Sequence, residues 1–78
     1  MRKKVTLNDG SISELDMERV YHRELEFENG VSYEALYYYG TEFRTRRGFV
    51  PVEEIRVGDI VEMKDKSFKK LVRIYWIS

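Results

Sequence analysis

Residues 48–62 of the chain read Gly48-Phe-Val-Pro-Val-Glu-Glu-Ile-Arg-Val-Gly-Asp-Ile-Val-Glu62. A turn at Arg46-Arg47-Gly48 precedes a short apolar strand in this segment. Pro51 favours a tight turn because its ring fixes φ, and Gly58-Asp59 begins a second strand at residues 60–63. Small β-barrels and β-rolls connect consecutive strands in this way. The segment therefore predicts an all-β fold.

The composition of the chain limits its class. Seventy-eight residues, 42% of them apolar, predict one folded domain covering residues 1–78. Cysteine is absent, which excludes disulfides, thiolate nucleophiles and cysteine zinc sites and fits a reducing compartment. The chain has no apolar run that could span a membrane and no signal-like run behind Met1. We therefore expect a cytoplasmic protein that does not bind membranes.

The amino-terminal part predicts one strand and one short helix. Val5 and Leu7 alternate with polar residues ahead of a turn signal at residues 8–10. Ser11 and Ser13 each precede an acidic residue by three positions, which is the spacing of a capping box. We expect one or two helical turns around residues 13–19.

The middle of the chain predicts a β-hairpin. Two alternating runs, residues 24–28 and 31–39, flank Asn29-Gly30, a strong signal for a two-residue turn. Such a turn places Leu25 opposite Glu34. One face would then carry Leu25, Phe27, Leu36 and Tyr38, and the other Glu24, Glu26, Glu28, Val31, Tyr33, Ala35, Tyr37 and Tyr39.

The remaining residues predict two further strands. Residues 41–46 alternate with Phe43 inward, and residues 68–77 form a last strand that is apolar on both faces. Regular alternation puts Leu71, Tyr75 and Ile77 on one of these faces. A strand of this kind is central, completes a barrel, or joins a homodimer. We expect six or seven antiparallel strands in a small SH3-like barrel or roll, all-β or mostly β with one short helix.

Charge is segregated although the net charge is zero. Residues 24–43 hold five glutamates and no lysine or arginine, and three arginines follow within residues 44–47. The glutamate row is either a solvated face or a surface that docks on a basic partner. Tyrosines beside arginines and lysines suggest a stacking platform for nucleic acid, an interface for protein, or simply good β formers. The candidate binding residues are Tyr37, Tyr39, Arg44, Arg46, Arg47, Glu24, Glu26 and Lys69.

Catalytic motifs are missing from the chain. His22 is the only histidine, so neither a zinc site nor a Ser-His-Asp arrangement has enough residues. A P-loop and a dinucleotide-binding fingerprint are also absent. We expect no enzymatic activity, no metal and no cofactor.

Residues 41–61 resemble an internal segment of the Hint modules of inteins and hedgehog-type autoprocessing proteins. The likeness lies in the Gly48-Phe49 pair, the Pro-Val-Glu-Glu turn and the Gly58-Asp59 strand start. It implies a Hint-like β-roll. Arg44 stands where the family has its Thr-x-x-His histidine, and Met1 and Ser78 match neither its nucleophile nor its terminal His-Asn pair. The resemblance thus implies a scaffold without autoprocessing.

Taken with the charge pattern, the sequence predicts a small non-enzymatic module that binds a protein partner. Its small size suggests an adaptor or inhibitor from a phage or mobile element. The alternative is a nucleic-acid-binding β-barrel that uses the tyrosines and the basic patch. Zero net charge argues against tight general binding to nucleic acid, because such binding depends on neutralising phosphates.

Overall fold

The structure is a computed structural model that describes residues 2–7 and 10–77. Eight strands and two single 3₁₀ turns occur along these residues, so the fold is mostly β, as predicted. The 3₁₀ turns cover Met17–Arg19 and Val52–Glu54. The strands are β1 Arg2–Thr6, β2 Ile12–Asp16, β3 Val20–Phe27, β4 Ser32–Tyr38, β5 Glu42–Thr45, β6 Gly48–Pro51, β7 Ile60–Glu62 and β8 Phe68–Trp76.

The strands form two antiparallel sheets. β1 and β2 make a separate hairpin, and the other six strands lie in the order β4-β3-β8-β7-β5-β6. The long strand β8 joins the two halves of the larger sheet, because Phe68–Lys70 pairs with β7 and Leu71–Trp76 pairs with β3. The outer strands β4 and β6 do not pair with each other. Of the two predicted shapes, barrel or roll, the sheet therefore forms an open roll and not a closed barrel.

Two apolar clusters hold the sheets together. The main core joins both halves of the roll, and its fully buried members include Leu25, Phe27, Val52 and Leu71. A smaller cluster packs the β1–β2 hairpin on the other side of β3 and β4, around Leu15, Val20 and Leu36. The β3–β4 hairpin is thus covered on one side by the core and partly covered on the other.

The turn between β3 and β4 has three residues instead of the predicted two. The Gly30 amide donates to the Phe27 carbonyl over 2.9 Å, and the Phe27 amide donates to the Val31 carbonyl over 2.9 Å. Gly30 has φ +81, whereas Asn29 has no positive φ. This is the geometry of a type I turn followed by a left-handed glycine.

The longer turn shifts the predicted register by one residue, which exchanges the faces of β4. Leu25 lies opposite Tyr33 and not opposite Glu34. The predicted division of side chains is therefore wrong, because it assumed a two-residue turn. The core side carries Tyr21, Leu25, Phe27, Tyr33, Ala35 and Tyr37, and the outer side carries His22, Glu24, Glu26, Glu34, Leu36 and Tyr38.

A β-bulge at Val72 corrects the prediction for β8. The register with β3 shifts by one residue there, which reverses the alternation of the strand. Leu71 consequently points into the core and is fully buried. The prediction that Leu71 shares a face with Tyr75 and Ile77 is therefore wrong, because the bulge lies between Leu71 and these residues.

The amino-terminal prediction is only partly right. The strand at β1 is confirmed, and Asn8 and Asp9 of the predicted turn lie outside the described residues. The segment predicted as helix is mostly strand β2, because its residues pair with β1. The helical part is the single 3₁₀ turn at Met17–Arg19, where the Asp16 side chain accepts a hydrogen bond from the Glu18 amide over 3.1 Å.

Residues 46–59, called the crossover segment below, connect β5 to β7 through β6. Their fold depends on the carboxylate of Asp59, which is 7% exposed. Arg47 donates to it from Nε over 2.8 Å and from Nη2 over 3.0 Å, and the Arg56 amide donates over 3.0 Å. The hydrogen bond from the Arg47 guanidinium lowers the pKa of Asp59. Gly58 permits the turn with φ +101.

Candidate binding groove

A groove of about 710 Å³ runs between β4 on one side and β5 and β7 on the other. It marks the place where the roll stays open. Its floor consists of apolar side chains that are partly buried against the main core. They are Tyr33, Tyr37, Phe43 and Met63.

The aromatic floor is held in fixed orientations. The Tyr37 and Phe43 rings meet edge to face at 4.9 Å and 86°, and the Tyr33 ring stacks on Phe27 at 6.0 Å and 10°. Burial raises the pKa of the Tyr33 phenol, and the neighbouring Tyr37 phenol adds to the rise. Burial also raises the pKa of Tyr37. Both phenols therefore stay neutral, and a hydrogen bond links the two side chains.

The rim of the groove carries both signs of charge. Arg44 lies 3.8 Å from Glu62. The Asp65 carboxylate accepts hydrogen bonds from the side chain and the amide of Ser67, which lower its pKa. Lys64 and Lys69 also line the groove, and neither forms an ion pair with a described residue. Among the described residues, these two lysines are thus the groove cations that are not held in an ion pair.

The three arginines predicted as one basic patch take up different positions. Arg44 lines the groove. The guanidinium of Arg46 lies 4.5 Å from the ring centre of Phe68, and that of Arg47 is bound to Asp59 within the crossover segment. Arg46 and Arg47 therefore stabilise the fold, and the predicted patch is dispersed.

Some of the other basic and aromatic candidates line the groove and some do not. Tyr37 and Lys69 both line the groove, Tyr37 on its floor and Lys69 at its rim. Tyr39 lies in the turn after β4, is half exposed and is not part of the groove lining. Only one of the two tyrosines proposed as a stacking pair is thus in the groove.

The glutamates of β3 lie on the outer side of the sheet, away from the groove floor. Glu24 is opposite Glu34 on β4. Glu26 accepts a hydrogen bond from the Tyr75 hydroxyl over 2.9 Å and lies opposite Arg73. The prediction that they share a face with Tyr37 is therefore wrong, because the three-residue turn sets a different register.

The outer side of the sheet also holds the only histidine. His22 Nε2 contacts the carboxylate of Glu34, which is on the neighbouring strand. Within residues 2–7 and 10–77, no group of three histidine, cysteine or acidic residues is placed to hold a metal ion. In the same residues no helix is long and apolar enough to cross a membrane.

Sequence reasoning missed one exposed aromatic site. Trp76 is 81% exposed, and the Arg23 guanidinium lies 3.4 Å from the centre of its ring. This guanidinium also lies 5.3 Å from the Tyr21 ring. Nothing in the spacing of Arg23 and Trp76 along the chain brings them together, because their contact depends on the pairing of β3 with β8.

Comparison with protein-family models, curated proteins and solved structures finds no match to this chain. The resemblance of residues 41–61 to Hint modules therefore stays a prediction.

Proposed function

We propose that the protein is a non-enzymatic interaction module that binds an extended segment of a partner protein in the groove. The bound segment places an apolar side chain on the floor at Tyr37 and Phe43. It places an acidic side chain beside Lys64 and Lys69.

The observation that carries this proposal is the combination of an aromatic floor with unpaired cations at its rim. Neutral tyrosines combine apolar contact area with a hydrogen-bond donor, and aromatic residues of this type anchor many protein interfaces. Neither lysine forms a salt bridge with a described residue, so an acidic group need not break one there, although the Asp65 carboxylate lies near Lys69. Side chains that already sit against the core lose little conformational entropy when a ligand binds.

Protein is favoured over nucleic acid because of the positions of the basic groups. Arg46 and Arg47 make contacts within the fold, and Arg44 has Glu62 beside it. The Tyr37 ring is partly buried against the core and packs edge to face against Phe43, which limits the ring surface open to a stacked base. Acidic Glu34, Glu42, Glu62 and Asp65 line the same groove and repel a continuous row of phosphates more strongly than the single acidic side chain of the proposed peptide.

The proposal is tested by selecting random displayed peptides on the immobilised protein. The selected peptides are then titrated against two charge-reversal variants. Lys64→Glu changes a lysine in the groove, and Lys66→Glu changes a lysine of the same turn that is not part of the groove lining. Both side chains are exposed, so both variants should remain folded, as circular dichroism will check.

We expect selected peptides with an apolar residue close to acidic residues. Their affinity should fall about tenfold or more in Lys64→Glu and stay within about twofold in Lys66→Glu, since a close charge pair contributes about 1–3 kcal/mol. Equal affinity in both variants would contradict the groove as the site. Tight binding of a labelled single-stranded oligonucleotide at low salt, lost in Lys64→Glu, would favour the nucleic-acid alternative instead.

A further inference from the structure

The second half of β8 has a strand neighbour on one side only. β7 pairs with β8 as far as Lys70, and Leu71 then exchanges hydrogen bonds of 2.8 Å with Gly58 and Asp59. The chain turns at residues 56–59, where the Asp59 amide donates to the Arg56 carbonyl over 3.0 Å. Within the described part of the chain, no strand continues beside β8 beyond that point.

The hydrogen-bonding pattern shows which backbone groups face this open side. The Phe27 amide donates a hydrogen bond to β4. Because backbone groups alternate in direction along a strand, the amides and carbonyls of the odd-numbered residues of β3 face β4, and those of Glu24 and Glu26 face β8. Their partners on β8 are Tyr75 and Arg73. The amide and carbonyl groups of Arg73 and Tyr75 therefore face β3. Backbone groups alternate in direction along a strand, so those of Ile74 and Trp76 face away from β3.

The side chains along this edge are mainly apolar. Trp76 is 81% and Tyr75 38% exposed. Residues 72–77 contain neither proline nor lysine, the residues that often protect an edge strand from further pairing. The one charged residue, Arg73, lies opposite Glu26 of its own sheet.

We propose that this edge pairs with the same edge of a second copy of the chain, antiparallel and about a two-fold axis at Tyr75. Ile74 then lies opposite Trp76 of the other copy, and both residues present outward-facing amide and carbonyl groups. This arrangement is isologous, as a two-fold interface requires. It extends the six-stranded sheet across both copies.

The pairing of Ile74 with Trp76 makes the edge self-complementary, and no charge repulsion opposes a second copy as the occupant. The two-fold at Tyr75 places Arg73 opposite Ile77 of the other copy and not opposite another arginine. The net charge of each chain is zero, so the two copies do not repel each other at long range. None of residues 72–77 lines the groove, so the dimer and the binding groove can be tested separately.

The test is sedimentation equilibrium on the wild type and two matched variants. Trp76→Lys introduces a charge at the edge, and Ile12→Lys introduces the same charge at another apolar residue that is 73% exposed. We expect a wild-type dimer, an increase of at least about tenfold in the dissociation constant of Trp76→Lys, and no change in Ile12→Lys. Circular dichroism will check that both variants are folded.

A wild type that stays monomeric up to the highest soluble concentration would overturn the proposal. A dimer that persists in Trp76→Lys, or dissociates equally in Ile12→Lys, would also overturn it. As a second readout, the tryptophan fluorescence of the wild type should become less accessible to acrylamide as the concentration rises. Accessibility that does not change while a dimer forms would place the interface elsewhere.

Discussion

The crossover segment and the binding groove are neighbours in the fold, and both contain basic and carboxylate side chains. In the crossover segment the charges meet each other, since Arg47 binds the buried Asp59 with two hydrogen bonds. In the groove two lysines line the rim without an ion-pair partner among the described residues. Charges that satisfy each other maintain a fold, whereas charges without partners are available to a ligand. The two regions should therefore respond differently to substitution.

The largest effect on stability is expected from the apolar side of the crossover segment. Ile55 is 6% exposed in the main core, and Ile55→Ala should reduce the free energy of unfolding by about 2–5 kcal/mol through lost burial and a cavity. Urea denaturation followed by circular dichroism will measure it. A loss below about 1 kcal/mol would show that this segment is not part of a well-packed core.

A smaller loss is expected at the carboxylate of the crossover segment. Asp59→Ala leaves the Arg47 guanidinium and the Arg56 amide without their acceptor, which should cost about 1–3 kcal/mol. Asp65→Ala is the matched control, because Asp65 is exposed and bonds only to the adjacent Ser67 within its turn. Equal losses in the two variants would contradict the structural role of Asp59.

The pH dependence of stability should reflect the same contact. The folded pKa of Asp59 is lower than its unfolded value of about 3.9, so its contribution is present above that value. It is lost as the pH falls through the folded pKa. Urea midpoints at neutral and acidic pH should therefore fall less steeply in Asp59→Asn than in the wild type. Identical pH profiles would contradict a pKa lowered by Arg47.

Substitutions in the groove should reduce the affinity for a peptide more than they reduce the stability of the fold. Tyr37→Ala removes a half-buried ring from the floor, and the affinity for a selected peptide should drop about tenfold or more. Tyr39→Ala removes a ring that is 50% exposed outside the groove, and should leave the affinity unchanged. Fluorescence anisotropy with a labelled peptide will measure both variants. A greater loss of affinity in Tyr39→Ala would move the site to the turn after β4.

Much of the fold could be predicted from the sequence, because its signals are local. Alternating apolar residues and glycine turns located most strands correctly, including β5 and β8. The faces of the β3–β4 hairpin were predicted wrongly, because Asn29-Gly30 also fits a three-residue turn with only the glycine at positive φ. The bulge at Val72 could not be recognised in the sequence either, because it arises where β8 changes its pairing from β7 to β3.

The candidate groove was predicted less completely than the fold. Tyr37, Arg44 and Lys69 were chosen from composition and do line it. Phe43 and Met63 were missed as floor residues, because inward-facing apolar residues are normally read as core. Arg47 was chosen as a surface cation, yet it binds Asp59 twelve residues later. A pair so far apart in sequence can be recognised only when the crossover segment is folded.

The most direct test of the groove as the binding site is to map a selected peptide on the protein by amide chemical shifts. We expect large shifts around the groove, at Tyr33, Tyr37, Phe43, Lys64 and Lys69. The crossover segment at Arg47 and Asp59 should shift little, since its polar groups already have partners. Shifts confined to the crossover segment or to the outer glutamates of β3, with the groove unaffected, would contradict it.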